Sequence, residues 1–456
     1  MRYKLLLGLV LLQFQSIAVA KNIVQEFHFN NGMKLVVKED HRAPVVVSQV
    51  WYKVGSSYEY SGITGLSHFL EHMMFKGTKE YPSGQFSKII SENGGRENAF
   101  TGKDYTAYFQ RLEKDRLEIS FKLESDRMKN IIFKEEDFAK EIKVVMEERR
   151  LRTEDNPQAL VYEQMMASAY LSNTYRNPVI GWMNDLENIT MEDMKDWYQR
   201  WYSPNNATIV VVGDVDPEKV YILAKKYFGD IKSEKINKPK PNKEVQQLGT
   251  KRITVKVPAK LPYVLLGYKV PVVKNAAEVW EPYALEVLAG ILDGGNSSRL
   301  SKNLIRGSQI AADASSGYNS FSRMPSMLLL DGTPSQDHTL KEVEVSLINE
   351  VTKLKTTLVT EDELKRVKAK VVADKVYEQD SMFYQAMNIG ILETIGLNWR
   401  IADNYVAQIR AITAEQIQQV AKKYLVSDRL TVATLEPQPM NTKSKKRKVT
   451  GGRHAH

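Results

Sequence analysis

Hydrophobic spacing divides the chain into two kinds of stretch. Residues 34–37, 45–52 and 105–111 carry the pattern of strands, the last placing Tyr105, Ala107 and Phe109 on one face and Thr106, Tyr108 and Gln110 on the other. Residues 65–75, 85–92 and 137–152 repeat their apolar positions at helical spacing instead. Strands interspersed with long helices predict an α+β architecture, with helices layered on mixed or antiparallel sheets.

The pattern occurs twice. Residues 190–201 lie over 413–424 without a gap, and the register continues so that 207–212 falls on 430–435. Both copies read as a capped amphipathic helix leading into a buried strand. A second match joins 134–138 to 360–364, each opening a helix behind acidic residues that suit its N-terminus. Between the copies, residues 231–250 are dense in Lys, Asn and Pro, with Pro239 and Pro241 unable to continue a helix or a central strand. The expected organisation is a domain at 21–230, a linker at 231–250 and a homologous domain at 251–437, related by internal duplication.

Composition changes this picture at the ends. Residues 1–20 read as an export signal: Arg2 and Lys4, an apolar run from Leu5 to Val19, then Ala18, Val19 and Ala20 as a small-residue cleavage site. The run is short and interrupted by Gln13, Gln15 and Ser16, which argues against a membrane anchor and predicts no stable membrane insertion. The expected address is the periplasm, with secretion as the alternative. The net charge of +9 resembles a nucleic-acid signal until it is located. The leader holds two of these positives and the tail at 438–456 holds six, leaving about +1 on the folded body, so nucleic acid is not an expected partner. There are no cysteines, so any metal must be held by histidine and carboxylate.

The sharpest local chemistry is His68, Glu71 and His72. Residues three and four apart on a helix share a face, so both imidazoles aim at one point with the carboxylate beside them. Two neutral imidazoles can bind zinc and the carboxylate can act on a water there. This H-x-x-E-H order inverts the commoner H-E-x-x-H. A five-residue match also arises by accident, but glycines bound this helix (Gly62, Gly65, Gly77) and Leu66, Phe69, Leu70, Met73 and Met74 can bury it. The other histidines, His28, His41, His338, His454 and His456, have no comparable spacing, so a carboxylate must complete the site. The helix at 137–152 offers Glu141, Glu147 and Glu148. With Phe138, Ile142 and Val145 as its buried stripe and about 100° per residue, Glu141 and Glu148 fall on one flank and Glu147 on the opposite side. Glu148 is therefore the expected third ligand, and Glu141 the carboxylate that orients a ligand from behind.

With His68, Glu71 and His72 followed after 75 intervening residues by Glu148, the sequence resembles the pitrilysin family, which includes insulin-degrading enzyme and the mitochondrial processing peptidases. Further segments look like family segments: Asn98, Ala99, Phe100 and Thr101, and residues 175–181, 212–215 and 294–300. The resemblance covers nearly the whole mature chain and looks like the half-size members. It implies a zinc-dependent endopeptidase acting on peptides or unfolded segments, with one zinc ion on His68, His72 and Glu148. It further implies Glu71 as catalytic base and Asn98 and Ala99 on an edge strand that receives the substrate backbone. Family members also imply a dimer, either a homodimer or a heterodimer with an inactive paralogue. The second half carries no H-x-x-E-H, and around 285–289, where a matching motif would lie, the residues other than Glu286 are apolar, so it is expected to support rather than catalyse. In the family that side supplies an arginine and a tyrosine that steady the oxyanion. Arg306 suits the arginine, but no tyrosine occurs between it and Asp313, which leaves Tyr318 as the candidate. The alternatives are a non-catalytic scaffold or partner subunit of the same fold, whose members lose zinc-site residues that this chain keeps, and a module that sequesters peptides without cleaving them.

Overall fold

The computed structural model describes residues 24–237, 240 and 243–440. The expected leader, linker positions 238, 239, 241 and 242, and the tail beyond 440 lie outside the described residues. The first half runs β1 (Val24–His28), β2 (Lys34–Glu39), β3 (Val45–Tyr52), α1 (Leu66–Met73), α2 (Gln85–Glu92), β4 (Arg96–Thr101), β5 (Thr106–Glu113), α3 (Leu117–Asn130), α4 (Glu135–Arg149), α5 (Pro157–Ala169), α6 (Met183–Asn188), α7 (Met191–Trp201), β6 (Ala207–Gly213) and α8 (Pro217–Phe228). The second runs β7 (Lys251–Pro258), β8 (Tyr263–Val270), α9 (Glu281–Leu292), β9 (Ala311–Gly317), β10 (Ser326–Pro334), α10 (Leu340–Thr356), α11 (Glu361–Glu378), α12 (Met382–Thr394), α13 (Ile401–Ala411), α14 (Ala414–Tyr424) and β11 (Leu430–Gln438). No described helix is long and apolar enough to cross a membrane.

Each half builds one sheet, ordered β1-β2-β6-β3-β5-β4 and β7-β11-β8-β10-β9. The second order repeats the first from β2 onward, including one parallel pair followed by antiparallel ones. The duplication legible in the sequence is thus a duplication of topology. Its finest detail is capping: Thr190 and Thr413 each form a reciprocal capping box at the start of α7 and α14. Both helices lead through a short 3₁₀ turn into the central strands β6 and β11. Tyr105, expected in a strand, instead belongs to the β4–β5 turn, where its carbonyl accepts the Gly102 N–H.

Strand residues are apolar on both faces because both faces are covered. In the first sheet Leu35, Val37, Val46, Val50, Ile209 and Val211 face a core shared with α1, α3, α7 and α8. The alternate positions Val36, Val47, Trp51, Val210 and Val212 face Ala386 and Ile389 of α12, a helix of the other half. The exchange is reciprocal, since Val161, Met165 and Ala169 of α5 pack against Leu265, Ala433 and Leu435 of the second sheet. Each half therefore completes its partner's hydrophobic layer.

Gly390 of α12 lets the helix backbone approach Trp51 of β3 closely. A Cβ built on Gly390 would stand 2.0 Å from an indole carbon. Gly390→Ala should therefore destabilise the protein by about 1–3 kcal/mol through overpacking, although alanine improves helix propensity. Chemical denaturation measures this; a variant as stable as the parent would show that the helix can move off the sheet at no cost.

Candidate metal centre

The site is assembled from α1 and the end of α4. Helix α1 starts at Gly65, whose φ of +87° is a left-handed conformation that suits glycine, and a Cβ there would also meet the Ile180 carbonyl oxygen at 2.6 Å. Two buried carboxylates hold this N-terminus. Glu59 accepts the N–H groups of Gly65 and Ser67, both at 2.7 Å, and Asp185 accepts those of Gly62 and Thr64, both at 3.2 Å, and the Thr64 hydroxyl at 2.6 Å. These satisfy donors that a helix start leaves open. Burial pushes Glu59 up to about 7, against the lowering effect of those backbone hydrogen bonds. The end of α4 is fixed to the same place. Arg149 donates to the Gly181 carbonyl at 2.7 Å and forms a two-pronged pair with Glu163 at 2.8 and 2.9 Å. Gly181 itself abuts the backbone of Thr64 and Gly65. Glu148, one residue before Arg149, is thereby set against α1.

His68, His72 and Glu148 each offer one ligand atom, and these atoms lie within 4.8 Å of one another. One carboxylate oxygen of Glu148 stands 3.4 Å from Nε2 of His72 and 3.7 Å from Nε2 of His68. Ligands at about 2.0–2.2 Å from a tetrahedral zinc ion are themselves separated by roughly 3.3–3.6 Å; the two Glu148 distances lie close to that spacing, and the His/His/Glu donor set is one that zinc takes. Glu141 takes the opposite edge of His72, with Nδ1 at 2.9 Å, and is itself paired with Lys76 at 2.5 Å. A proton on Nδ1 donated to Glu141 leaves Nε2 with its lone pair directed at the site. The helical phase of the sequence is the phase observed: the Glu141 and Glu148 side chains are 13% and 14% exposed, and Glu147 is 48% exposed.

The electrostatics point the same way. Burial lowers the affinity of His72 for a proton, yet hydrogen bonds to Glu141 and Glu148 overcome this and raise it to about 9. Burial would raise Glu148, but the hydrogen bond to His72 and the charges of His68 and Arg152 hold it at about 2. The two glutamates thus make the space between the imidazoles a seat for positive charge. Glu71 lines the same cavity of about 490 Å³ and accepts the Thr101 hydroxyl at 2.5 Å. Burial raises its carboxyl to about 7, with Thr101 acting in the opposite direction.

Asn98 and Ala99 lie on β4, at the edge of the first sheet, and Ala99, Phe100 and Thr101 line the cavity. The Asn98 side-chain carbonyl accepts the Ala99 N–H at 2.8 Å. Arg306 is not brought to this cavity; it lies on the surface in a π-helical turn and donates to the Asn296 carbonyl. Tyr318 lines an adjoining cavity between the halves, where its hydroxyl donates to the Pro271 carbonyl at 2.6 Å. At the place of α1 the second half has α9, in which Leu285, Leu288 and Ala289 are buried. Glu59, Asp185 and Arg149 were not singled out from the sequence. Their role depends on which backbone they meet, and no residue spacing carries that information.

Comparison with known proteins agrees with this geometry. Residues 34–182 match the family description "Insulinase (Peptidase family M16)", and 188–371 match "Peptidase M16 inactive domain". The zinc protease PqqE of Helicobacter pylori is 32% identical over 413 residues, covering 89% of this chain and 91% of that one. The chain belongs to peptidase family M16. The uncharacterized zinc protease YmxG of Bacillus subtilis is 24% identical over 410 residues, covering 89% of this chain and 97% of its own length. The crystal structure of a protease from Helicobacter pylori superposes with a TM-score of 0.86 at 30% identity, over 91% of this chain and 100% of that one. The periplasmic protease PqqL of Escherichia coli shares the fold with a TM-score of 0.74 at 16% identity, and this chain spans 48% of its length. The chain thus spans about half the length of that protein. The inactive-domain match falls on the part of the chain that carries α9 and no H-x-x-E-H.

Zinc affinity distinguishes ligands from supports. His72→Ala or Glu148→Ala should abolish stoichiometric zinc binding, while Glu141→Ala should weaken it roughly 10–100-fold by freeing the His72 ring. Competition against a zinc-responsive chelator measures both, and unchanged affinity in Glu148→Ala would remove that residue from the ligand set.

Proposed function

We propose that this protein is a zinc-dependent endopeptidase that hydrolyses peptides or unfolded polypeptide segments. The observation that carries the proposal is the convergence of His68, His72 and Glu148 within a cavity that Glu71 and the edge strand β4 also line. His68, His72 and Glu148 would hold the metal, and zinc bound there would supply Lewis acidity toward the scissile carbonyl and toward a water. Glu71 takes the proton of the attacking water on its carboxylate and returns it to the departing amine. Thr101, from β4, holds one oxygen of Glu71 in place. An extended peptide adds to the free edge of β4 through main-chain hydrogen bonds, which recognise backbone with little regard to side chains. The Thr101 contact couples the two functions, because the strand that binds substrate also orients the base.

The same reading includes export to the periplasm and work as a dimer, with a second copy or a catalytically silent paralogue. The leader pattern at residues 1–20 supports the first, and the resemblance to family members that work as dimers supports the second.

Glu71→Gln should retain zinc and lose at least about 10³-fold in cleavage of a quenched fluorescent peptide, the order expected on removing a general base. Elemental analysis and kinetics on the same preparation give both values. Full activity in this variant would remove Glu71 from the mechanism.

A further inference from the structure

The cavity that holds the metal centre is not closed at its far end. It shares Lys103, Tyr162 and Met166 with a second cavity of about 560 Å³ between the two halves. That second space is lined by aromatic rings from both halves, among them Tyr105, Tyr170, Tyr318, Phe321 and Tyr405. Lys103 stands at the junction. It belongs to the turn after β4, two residues beyond the threonine that bonds Glu71, so at about 3.3 Å per residue it lies within a short reach of a peptide paired with that strand.

The turn is rigid and the ammonium is left to serve something else. The main chain is fixed by Ser57 N–H to the Lys103 carbonyl at 2.8 Å and Gly102 N–H to the Tyr105 carbonyl at 2.8 Å. The Lys103 Nζ donates to the Tyr175 carbonyl at 2.9 Å and lies 5.0 Å from the Tyr175 ring centroid. An ammonium has three donors, and among the described residues no carboxylate forms an ion pair with this one, although the charge of neighbouring Asp104 favours its protonated form. The neighbouring Asp104 is already engaged: it accepts from Ser57 Oγ at 2.7 Å, from the Tyr175 hydroxyl, and from the main-chain N and Nε of Arg323, each at 3.1 Å. Burial lowers the Lys103 amine to about 8, which leaves it largely protonated at neutral pH. A half-buried cation with spare donors, at the mouth of an aromatic cavity and beside a peptide-binding edge, matches a carboxylate flanked by an apolar side chain.

We propose that Lys103 is a substrate-recognition residue, whose ammonium takes a carboxylate of the bound peptide near the scissile bond while the inter-half cavity takes an adjacent large apolar side chain. The inference rests on the peptidase reading for the meaning of "scissile bond", but recognition itself is measurable as binding. The carboxylate can come from an acidic side chain or from the peptide C-terminus, and the two sources are separable.

The test uses the zinc-loaded full chain and a fluorescein-labelled Ala/Leu decapeptide containing one Phe. Either Glu or Gln stands beside the Phe, and each peptide is made as free acid and as C-terminal amide. Affinity is read by fluorescence anisotropy and cleavage by kcat/KM. The parent protein should favour the carboxylate form about tenfold or more, the order that one hydrogen bond to a charged group supplies. Dependence on Glu over Gln assigns the side chain as source, and dependence on acid over amide assigns the terminus. Lys103→Met should bring that ratio close to one, and Lys103→Arg should keep most of it. A lysine that only braces the Tyr175 loop would weaken every peptide alike and leave the ratio unchanged, which would overturn the proposal, as would a ratio near one in the parent. Discrimination in binding without any cleavage would uphold Lys103 while contradicting the peptidase reading.

Discussion

The contact between α1 and α4 is the constraint on which the rest depends. Two imidazoles one helical turn apart meet a carboxylate 76 residues later in the chain, and the site exists only while the two helices hold that distance. Bringing Glu71, Glu141 and Glu148 together in a partly buried space is unfavourable unless positive charge balances them. His72, Lys76 and Arg152 supply some of it, through Glu141 and Glu148. A dication bound where the ligand atoms converge would supply the remainder, which is why a cluster costly to an empty fold suits a metal centre.

The surrounding structure reads as a set of devices that keep this distance. Glu59 and Asp185 seize the start of α1, and Arg149 ties the end of α4 to Gly181, whose backbone presses on the same start. The second half contributes through packed layers. By lending α12 to the back of the first sheet and accepting α5 on its own, it fixes the strands from which β4 hangs as a free edge. Arg323 then reaches across to Asp104 in the β4–β5 turn. The duplicated topology thus became asymmetric in chemistry while remaining symmetric in packing.

Much of this was legible in the sequence, for identifiable reasons. His68, Glu71 and His72 lie on one turn, so a local period reveals them. Glu148 and Glu141 were separable from Glu147 because an apolar stripe sets the phase of α4. The duplication showed where the two copies keep the same caps and central strands. What stayed hidden is non-local. The reciprocal seating of α5 and α12 leaves only extra apolar positions, which any buried helix would show, and the acids that hold the start of α1, Glu59 in a loop and Asp185 in α6, carry no spacing that links them to it. Arg306 and Tyr318 came from resemblance alone, and the structure places one on the surface and the other in the neighbouring cavity. Lys103 passed unnoticed because a single lysine in a turn carries no spacing signal.

The central claim concerns where one cation sits, and anomalous diffraction at the zinc absorption edge from crystals of the zinc-loaded protein tests it most directly. The account predicts a strong peak within bonding distance of Nε2 of His68, Nε2 of His72 and a carboxylate oxygen of Glu148. Crystals with stoichiometric zinc whose peak lies elsewhere, with these three side chains making no contact to it, would contradict the account.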